Sequence, residues 1–220
     1  MANIVIWAPP LLLAITFHEA AHGFAAYRYG DDTAKRLGRM TLNPIAHIDP
    51  FGTVLLPALL SLLPGGLIFG YAKPVPVQIN RLRHPRWDMA KVAIAGPAMN
   101  FVLALASALI LLFAKQLPSS VAVPVEKMLE ISIFFNILLG VFNLLPVPPL
   151  DGGRVIAAFL PKSATPILNR LETLGIFVVL GVFFLLPRLL AETGIKFDPF
   201  GTLILKPTLF FSSFLLDFSA

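Results

Sequence analysis

Cysteine is absent from the 220 residues. Disulfide staples and thiolate metal sites are therefore excluded, and any metal must be held by nitrogen and oxygen. Charge is scarce as well. Only 13% of residues are Asp, Glu, Lys or Arg, against about 25% in a soluble domain. With 57% hydrophobic residues and a mean hydropathy of +0.82, the chain reads as an integral membrane protein. Repeats, low-complexity stretches and long polar linkers are lacking too, so nothing is left over for a sizeable soluble domain. No basic segment precedes the first apolar run, which is expected to be retained and not cleaved as a signal peptide. The net charge of +5 does not point to nucleic acid, because the basic residues sit in short loops between apolar runs. That is the pattern of membrane orientation.

Apolar runs predict helices at about 4–27, 90–114, 128–147 and 174–191, with weaker candidates at 53–70 and 199–216. A spanning helix needs about 20 mostly apolar residues. The expected fold is an all-α polytopic membrane protein, a bundle of about 5–6 transmembrane segments. A small re-entrant or β-hairpin region is expected at about 40–80. Pro57 and Pro64-Gly65-Gly66 break the 53–70 stretch, which favours two half-depth pieces over one clean span. Lys206-Pro207 leaves the last stretch open between a broken helix and an interfacial one. Loops 28–52 and 71–91 carry nine of the seventeen basic residues, which places both in the cytoplasm. Completing that topology puts twelve basic residues inside and four outside, with Lys206 unassigned.

The first apolar run holds His18-Glu19-Ala20-Ala21-His22, an HExxH motif. Histidines at i and i+4 share one helix face about 6 Å apart, so both imidazoles can reach one metal. A glutamate beside the first histidine is placed to take a proton from water. Two histidines are too few for a catalytic zinc, which keeps about three protein ligands and one open position. Among the acidic residues, Asp151 is the best placed third ligand. It follows Phe142-Asn143-Leu144-Leu145-Pro146-Val147-Pro148-Pro149-Leu150 and precedes Gly152-Gly153. An aspartate at the end of an apolar helix is costly unless it faces protein, water or metal. Two membrane crossings between His22 and Asp151 bring both to one side; a third would part them by about 30 Å. Asn143 offers a donor and an acceptor, suited equally to a substrate backbone and to helix packing. Asn100 reads as a structural amide near the Gly96-Pro97 helix start, and His47 and His84 as loop histidines.

The HEAAH motif, Ala95-Gly96-Pro97-Ala98-Met99-Asn100, and the Asn-x-x-Pro-x-Pro-x-Leu-Asp-Gly-Gly run at 143–153 together resemble the site-2 protease family of intramembrane zinc metalloproteases. Asn43-Pro44 to Gly52 and Ala72 to Val77 are similar to its compact prokaryotic branch. The resemblance implies one Zn²⁺ bound by His18, His22 and Asp151, with Glu19 as catalytic base. It also implies a transmembrane protein or peptide as substrate. The space between 114 and 128 is too short for a PDZ domain, and no CBS domain is expected. The expectation is a single membrane-embedded peptidase domain over 1–220, with its catalytic core at about 4–155 and accessory helices at about 170–216. It would be a multi-pass protein of the cell (inner) membrane, in contact with the lipid bilayer, its site opening toward the cytoplasm. Its oligomeric state is not readable. A metal or proton transporter is the main rival, but the runs 90–114 and 174–191 carry no acid or histidine for a relay. A catalytically silent membrane chaperone is the other, against which the intact Glu19 argues.

Overall fold

The structure is a computed structural model that describes residues 2–55, 59, 72–114 and 116–219. Every regular element among them is helical, and no strand is present among the described residues. The long helices are α1 (Ala2–Arg28), α3 (Pro85–Ala114) and α4 (Ser119–Asn143). Between them lies the one-turn α2 (Thr33–Arg36). After α4 come the short α5 (Asp151–Ala157), α6 (Thr165–Leu180), α7 (Leu186–Glu192) and α8 (Lys206–Phe218).

Local chemistry explains most boundaries. Pro85 starts α3 where a missing N–H costs nothing, and the Asp88 carboxylate accepts the His84 N–H at 2.7 Å. Prolines at 146, 148 and 149 prevent α4 from running on past Asn143. Several helices carry a proline without stopping, as at Pro9 and Pro10 in α1, Pro97 in α3 and Pro124 in α4, and two later stretches widen before theirs. A wide i→i+5 turn at Gly181–Leu185 leads into Pro187, and another at Gly201–Leu205 leads into Pro207. Widening the preceding turn is one way to make room for the proline ring, which otherwise clashes with the carbonyl four residues back. The 199–216 stretch is thus one helical rod through Lys206-Pro207. The 174–191 run is bent by 73° between Gly175 and Phe177.

Two described helices, Pro85–Ala114 and Gly201–Phe218, are long and apolar enough to cross a membrane; the bent pair would make a third. The sequence led to an expectation of five to six. α1 and α4 are 27 and 25 residues long. α1 carries His18, Glu19 and His22; α4 carries Glu126, Lys127 and Glu130. The expected re-entrant turn at 53–70 falls mostly outside the described residues. The expected β-hairpin at about 40–80 is not found among the described residues: Pro44–His47 and Pro50–Leu55 are short helical turns, and residues 72–78 have no regular structure.

α1, α3 and α4 pack as a three-helix core. Ala104, Ala108, Leu111 and Ala114 of α3 meet Ile133 and Ile137 of α4, closed by Leu215 and Leu216 of α8. The alanines let the two backbones approach, as small residues do in membrane bundles. Phe113, Phe177 and Phe210 lie exposed on the outside, each at least 67% accessible. In an apolar solvent such side chains carry no penalty, so the same surface that would aggregate in water is ordinary in lipid.

Candidate metal centre

The two histidines of α1 and Asp151 of α5 converge. His18 Nε2 lies 3.0 Å from His22 Nε2, and each lies 3.2 Å from Asp151 Oδ2. All three residues are buried, at 6–8% exposure. They are the cluster of three metal-ligating side chains found among the described residues. Four ligands around a zinc with bonds of about 2.0–2.2 Å stand about 3.3–3.6 Å from one another. The observed triangle is nearly one face of that tetrahedron.

The hydrogen bonds behind the two rings bear on what the triangle can hold. His22 Nδ1 donates to the Val92 carbonyl at 2.7 Å, and His18 Nδ1 is bonded to Asn100 Oδ1 at 2.6 Å. With both Nδ1 atoms acting as donors, both neutral rings present a bare Nε2 lone pair to the carboxylate. Asp151 Oδ2 is buried and has no hydrogen-bond partner. A buried acceptor without a donor costs about 1–3 kcal/mol, more when charged. A cation bound by all three atoms would satisfy them together, and the nitrogen and oxygen donors suit zinc.

Backbone packing brings these groups together. Gly96 of α3 sits directly against the imidazoles: a Cβ there would lie 2.6 Å from His22 Cε1 and 2.7 Å from His18 Cε1. Only a glycine lets α3 approach this closely. Asp151 is set by the turn after α4. Gly152 rests on the Leu144 and Leu145 carbonyls, and Gly153 on Pro148, where a Cβ would stand 2.8 Å from Pro148 Cα. The Gly-Gly pair therefore lets α5 fold back beneath the proline run.

Glu19 lies beside the cluster in sequence and is tied elsewhere in space. Its Oε2 accepts the Val75 N–H at 2.7 Å; no other hydrogen bond to this carboxylate is present among the described residues. Val75 belongs to the irregular 72–78 segment. This segment is also held by Arg39, which donates to the Lys73 carbonyl at 2.7 Å, and by the His47 carbonyl, which accepts the Lys73 N–H at 2.9 Å. At its far end the Gln78 N–H donates to Asp31 Oδ2 at 2.6 Å. Pro74 and Pro76 lack N–H groups, so the segment offers few donors to an added strand. Burial alone would raise the Asp31 pKa. The Thr33 hydroxyl, the Gln78 and Thr33 N–H groups and the Arg81 charge outweigh it and hold the carboxyl below the usual range.

Asn143 is half-buried and donates to the Leu139 carbonyl of its own helix at 3.0 Å. The loop histidine His47 is buried and hydrogen-bonded through Nε2 to the Thr41 carbonyl at 2.9 Å. Sequence reasoning read Asn100 as a structural amide and gave neither its bond to His18 nor the packing role of Gly96. An isolated amide within the apolar run 90–114 was a usable signal, because such a group must find buried partners. The Val75 N–H and the Val92 carbonyl carry no side-chain signal at all.

A helical bundle built around two HExxH histidines and a distant aspartate defines a metal-dependent hydrolase of the membrane type. The chain matches the family model described as Peptidase family M50 over residues 7–123 and 114–186, and it belongs to that family of zinc metalloproteases. Among its relatives is YwhC of Bacillus subtilis, 39% identical over 181 residues that cover 80% of this chain and 78% of that protein. Rip2 of Mycobacterium tuberculosis is 30% identical over 182 residues, 81% of this chain and 66% of its own length. MJ0392 of Methanocaldococcus jannaschii is 25% identical over 166 residues, 74% and 38% respectively. All three carry the words zinc metalloprotease in their names. The chain thus spans about two thirds of Rip2 and well under half of MJ0392. No solved structure matches it significantly.

Proposed function

We propose that this protein is an intramembrane zinc metalloprotease that hydrolyses peptide bonds of membrane-spanning substrates. One Zn²⁺ is held by His18, His22 and Asp151. The observation that carries the reading is the buried triangle of bare donor atoms, with Asp151 Oδ2 left without a partner. Bound there, zinc would act as a Lewis acid and lower the pKa of a coordinated water toward about 7.

The chain's own residues do the rest. Glu19 is the general base. The Val75 N–H holds Oε2, which orients the carboxylate and leaves Oε1 as the open acceptor for the proton of the attacking water. As the water oxygen bonds to the substrate carbonyl carbon and the C–N bond breaks, Glu19 returns the proton to the leaving nitrogen. A helical substrate hides its carbonyls in i to i−4 bonds and must unwind before attack. Asn143, with Oδ1 still available, contacts the unwound backbone. The peptidase is a single membrane-embedded domain over residues 1–220, with its catalytic core at about 4–155 and accessory helices at about 170–216. The chain is multi-pass in the cell membrane, with its site toward the cytoplasmic side. The basic residues around Arg28–Arg39 and Lys73–Lys91, at the same end of α1 and α3 as the cluster, support that orientation.

The test is cleavage of a transmembrane reporter by the full chain in liposomes, with and without a zinc chelator. Chelator-sensitive cleavage that Asp151→Ala abolishes together with zinc content supports the reading. Zinc flux without cleavage would establish a transporter instead, and neither activity would leave a binding protein.

A further inference from the structure

The polar groups behind His18 form a chain through the middle of an otherwise apolar bundle. His18 Nδ1 meets Asn100 Oδ1 at 2.6 Å. Asn100 Nδ2 donates to the Ala14 carbonyl at 3.1 Å and to Asn136 Oδ1 at 2.9 Å. Asn136 Nδ2 donates to the Ser132 carbonyl at 2.9 Å and to its hydroxyl at 3.2 Å. The Ser132 hydroxyl shares a hydrogen bond with Ser107 at 2.8 Å. Asn100 is 0% and Asn136 1% exposed. Two buried amides in a membrane bundle are costly unless every donor and acceptor is used. Here both amide N–H₂ groups and both amide oxygens have partners.

We infer that Asn100 is the positioning residue that fixes the tautomer and angle of His18 for the metal, with Asn136 holding Asn100 in turn. The proton directions follow from groups that can only accept. The Ala14 carbonyl requires the Asn100 amide nitrogen, not its oxygen, to face α1. The Ser132 carbonyl sets Asn136 the same way, so Asn136 Oδ1 faces Asn100. Asn100 Oδ1 is then left for His18, whose Nδ1 must carry the proton. His18 Nε2 is left bare and aimed at Asp151. A partner behind a ligating imidazole fixes ring orientation and raises ligand basicity, and its loss costs about 10–100-fold in metal affinity. The two histidines are set by different means. His22 leans on a backbone carbonyl, which no substitution removes, whereas His18 depends on one side chain from α3 and one from α4.

The inference rests on the proposed zinc site, and the experiment separates the two. Zinc affinity of the full chain in nanodiscs is measured by chelator competition for Asn100→Leu, Asn100→Asp, Asn136→Ala and His18→Ala, with helicity followed by circular dichroism. Asn100→Leu is expected to weaken zinc about 10–100-fold. Asn100→Asp, which still accepts from Nδ1, is expected to stay within several-fold of the parent. Asn136→Ala should fall between them. A purely structural Asn100 would instead lower thermal stability with zinc affinity unchanged, and that result overturns the inference. The unsubstituted protein gives a second readout, the ¹⁵N spectrum of labelled histidines with Cd²⁺ bound. Metal coupling at His18 Nε2 with a proton on Nδ1 supports the inference; coupling at Nδ1 refutes it even where the variants fail to fold. Unchanged zinc binding by His18→Ala would sink the metal site itself, a different outcome from either.

Discussion

Replacing Gly96 with alanine adds one methyl group at the closest contact in the site. The new Cβ would stand 2.6 Å from His22 Cε1 and 2.7 Å from His18 Cε1. Carbon atoms rest at about 3.5–4.0 Å, so each contact falls short by about 1 Å. Either both rings move or α3 retreats. A ring shift of that size exceeds the tolerance of about 0.2 Å on metal–ligand distances. A retreat of α3 pulls Asn100 and the Val92 carbonyl, the partners of the two Nδ1 atoms, away from the rings. Both routes damage the same site. The overpacking itself costs about 1–3 kcal/mol, which a bundle of this size can absorb and remain folded. The expected outcome is a helical protein whose zinc affinity has dropped at least about 10-fold, the lower bound for disturbing groups around a ligand. Chelator competition on the purified protein measures it, with circular dichroism confirming helicity. Ile110→Val is the control, because Ile110 is exposed about four turns further along the same helix and should leave zinc untouched. Parent-like zinc binding by Gly96→Ala would refute the claim that α3 is pressed against the ligands.

Glu19→Gln should keep zinc and lower reporter cleavage by about 10²–10⁴-fold, the usual contribution of a general base; a variant that cleaves at the parent rate would remove Glu19 from that role. Asp31→Asn should destabilise the fold by about 1–3 kcal/mol in thermal unfolding, because a single amide oxygen cannot replace both carboxylate acceptors for Thr33 and Gln78. The sign of the pH effect follows from the lowered Asp31 pKa. Its contribution is full above the unfolded value of about 3.9 and is lost as pH falls through the folded value, so the gap between parent and variant should narrow below about pH 4. Asn143→Ala should raise KM for a transmembrane reporter more than it lowers kcat, and kinetics on a series of reporter concentrations would show whether the substrate contact exists.

Much of the site was legible in the sequence because its chemistry is local. HExxH puts two imidazoles on one helix face whatever surrounds them. Asp151 could be chosen from composition and topology, since few acids lie near an apolar helix end. The apolar runs placed the helices but not their limits: α3 starts at Pro85, before the expected 90, and α4 runs Ser119–Asn143, where 128–147 was expected, because the proline run stops it. The same reasoning left Lys206-Pro207 open, because a proline can break a helix or merely widen the turn before it. Asn100 reads in the sequence as a structural amide near the Gly96-Pro97 helix start, although its position one turn beyond Gly96 places it against His18. Its importance depends on a carbonyl of α1 and an amide of α4, both distant in sequence.

The sequence by itself determined the solvent, the donor atoms and the family pattern. A chain without cysteine, with 13% charged residues and an HExxH motif in an apolar run, reads as a membrane protein whose candidate metal ligands are nitrogen and oxygen. Tertiary structure alone decided the distances and the hydrogen-bond partners. Which nitrogen of each histidine is bare, and which oxygen of Glu19 stays open, depends on backbone groups at Val92, Ala14 and Val75. Every residue type except proline carries the same N–H and C=O, so no sequence pattern marks them. Only packing says which of them points at the site.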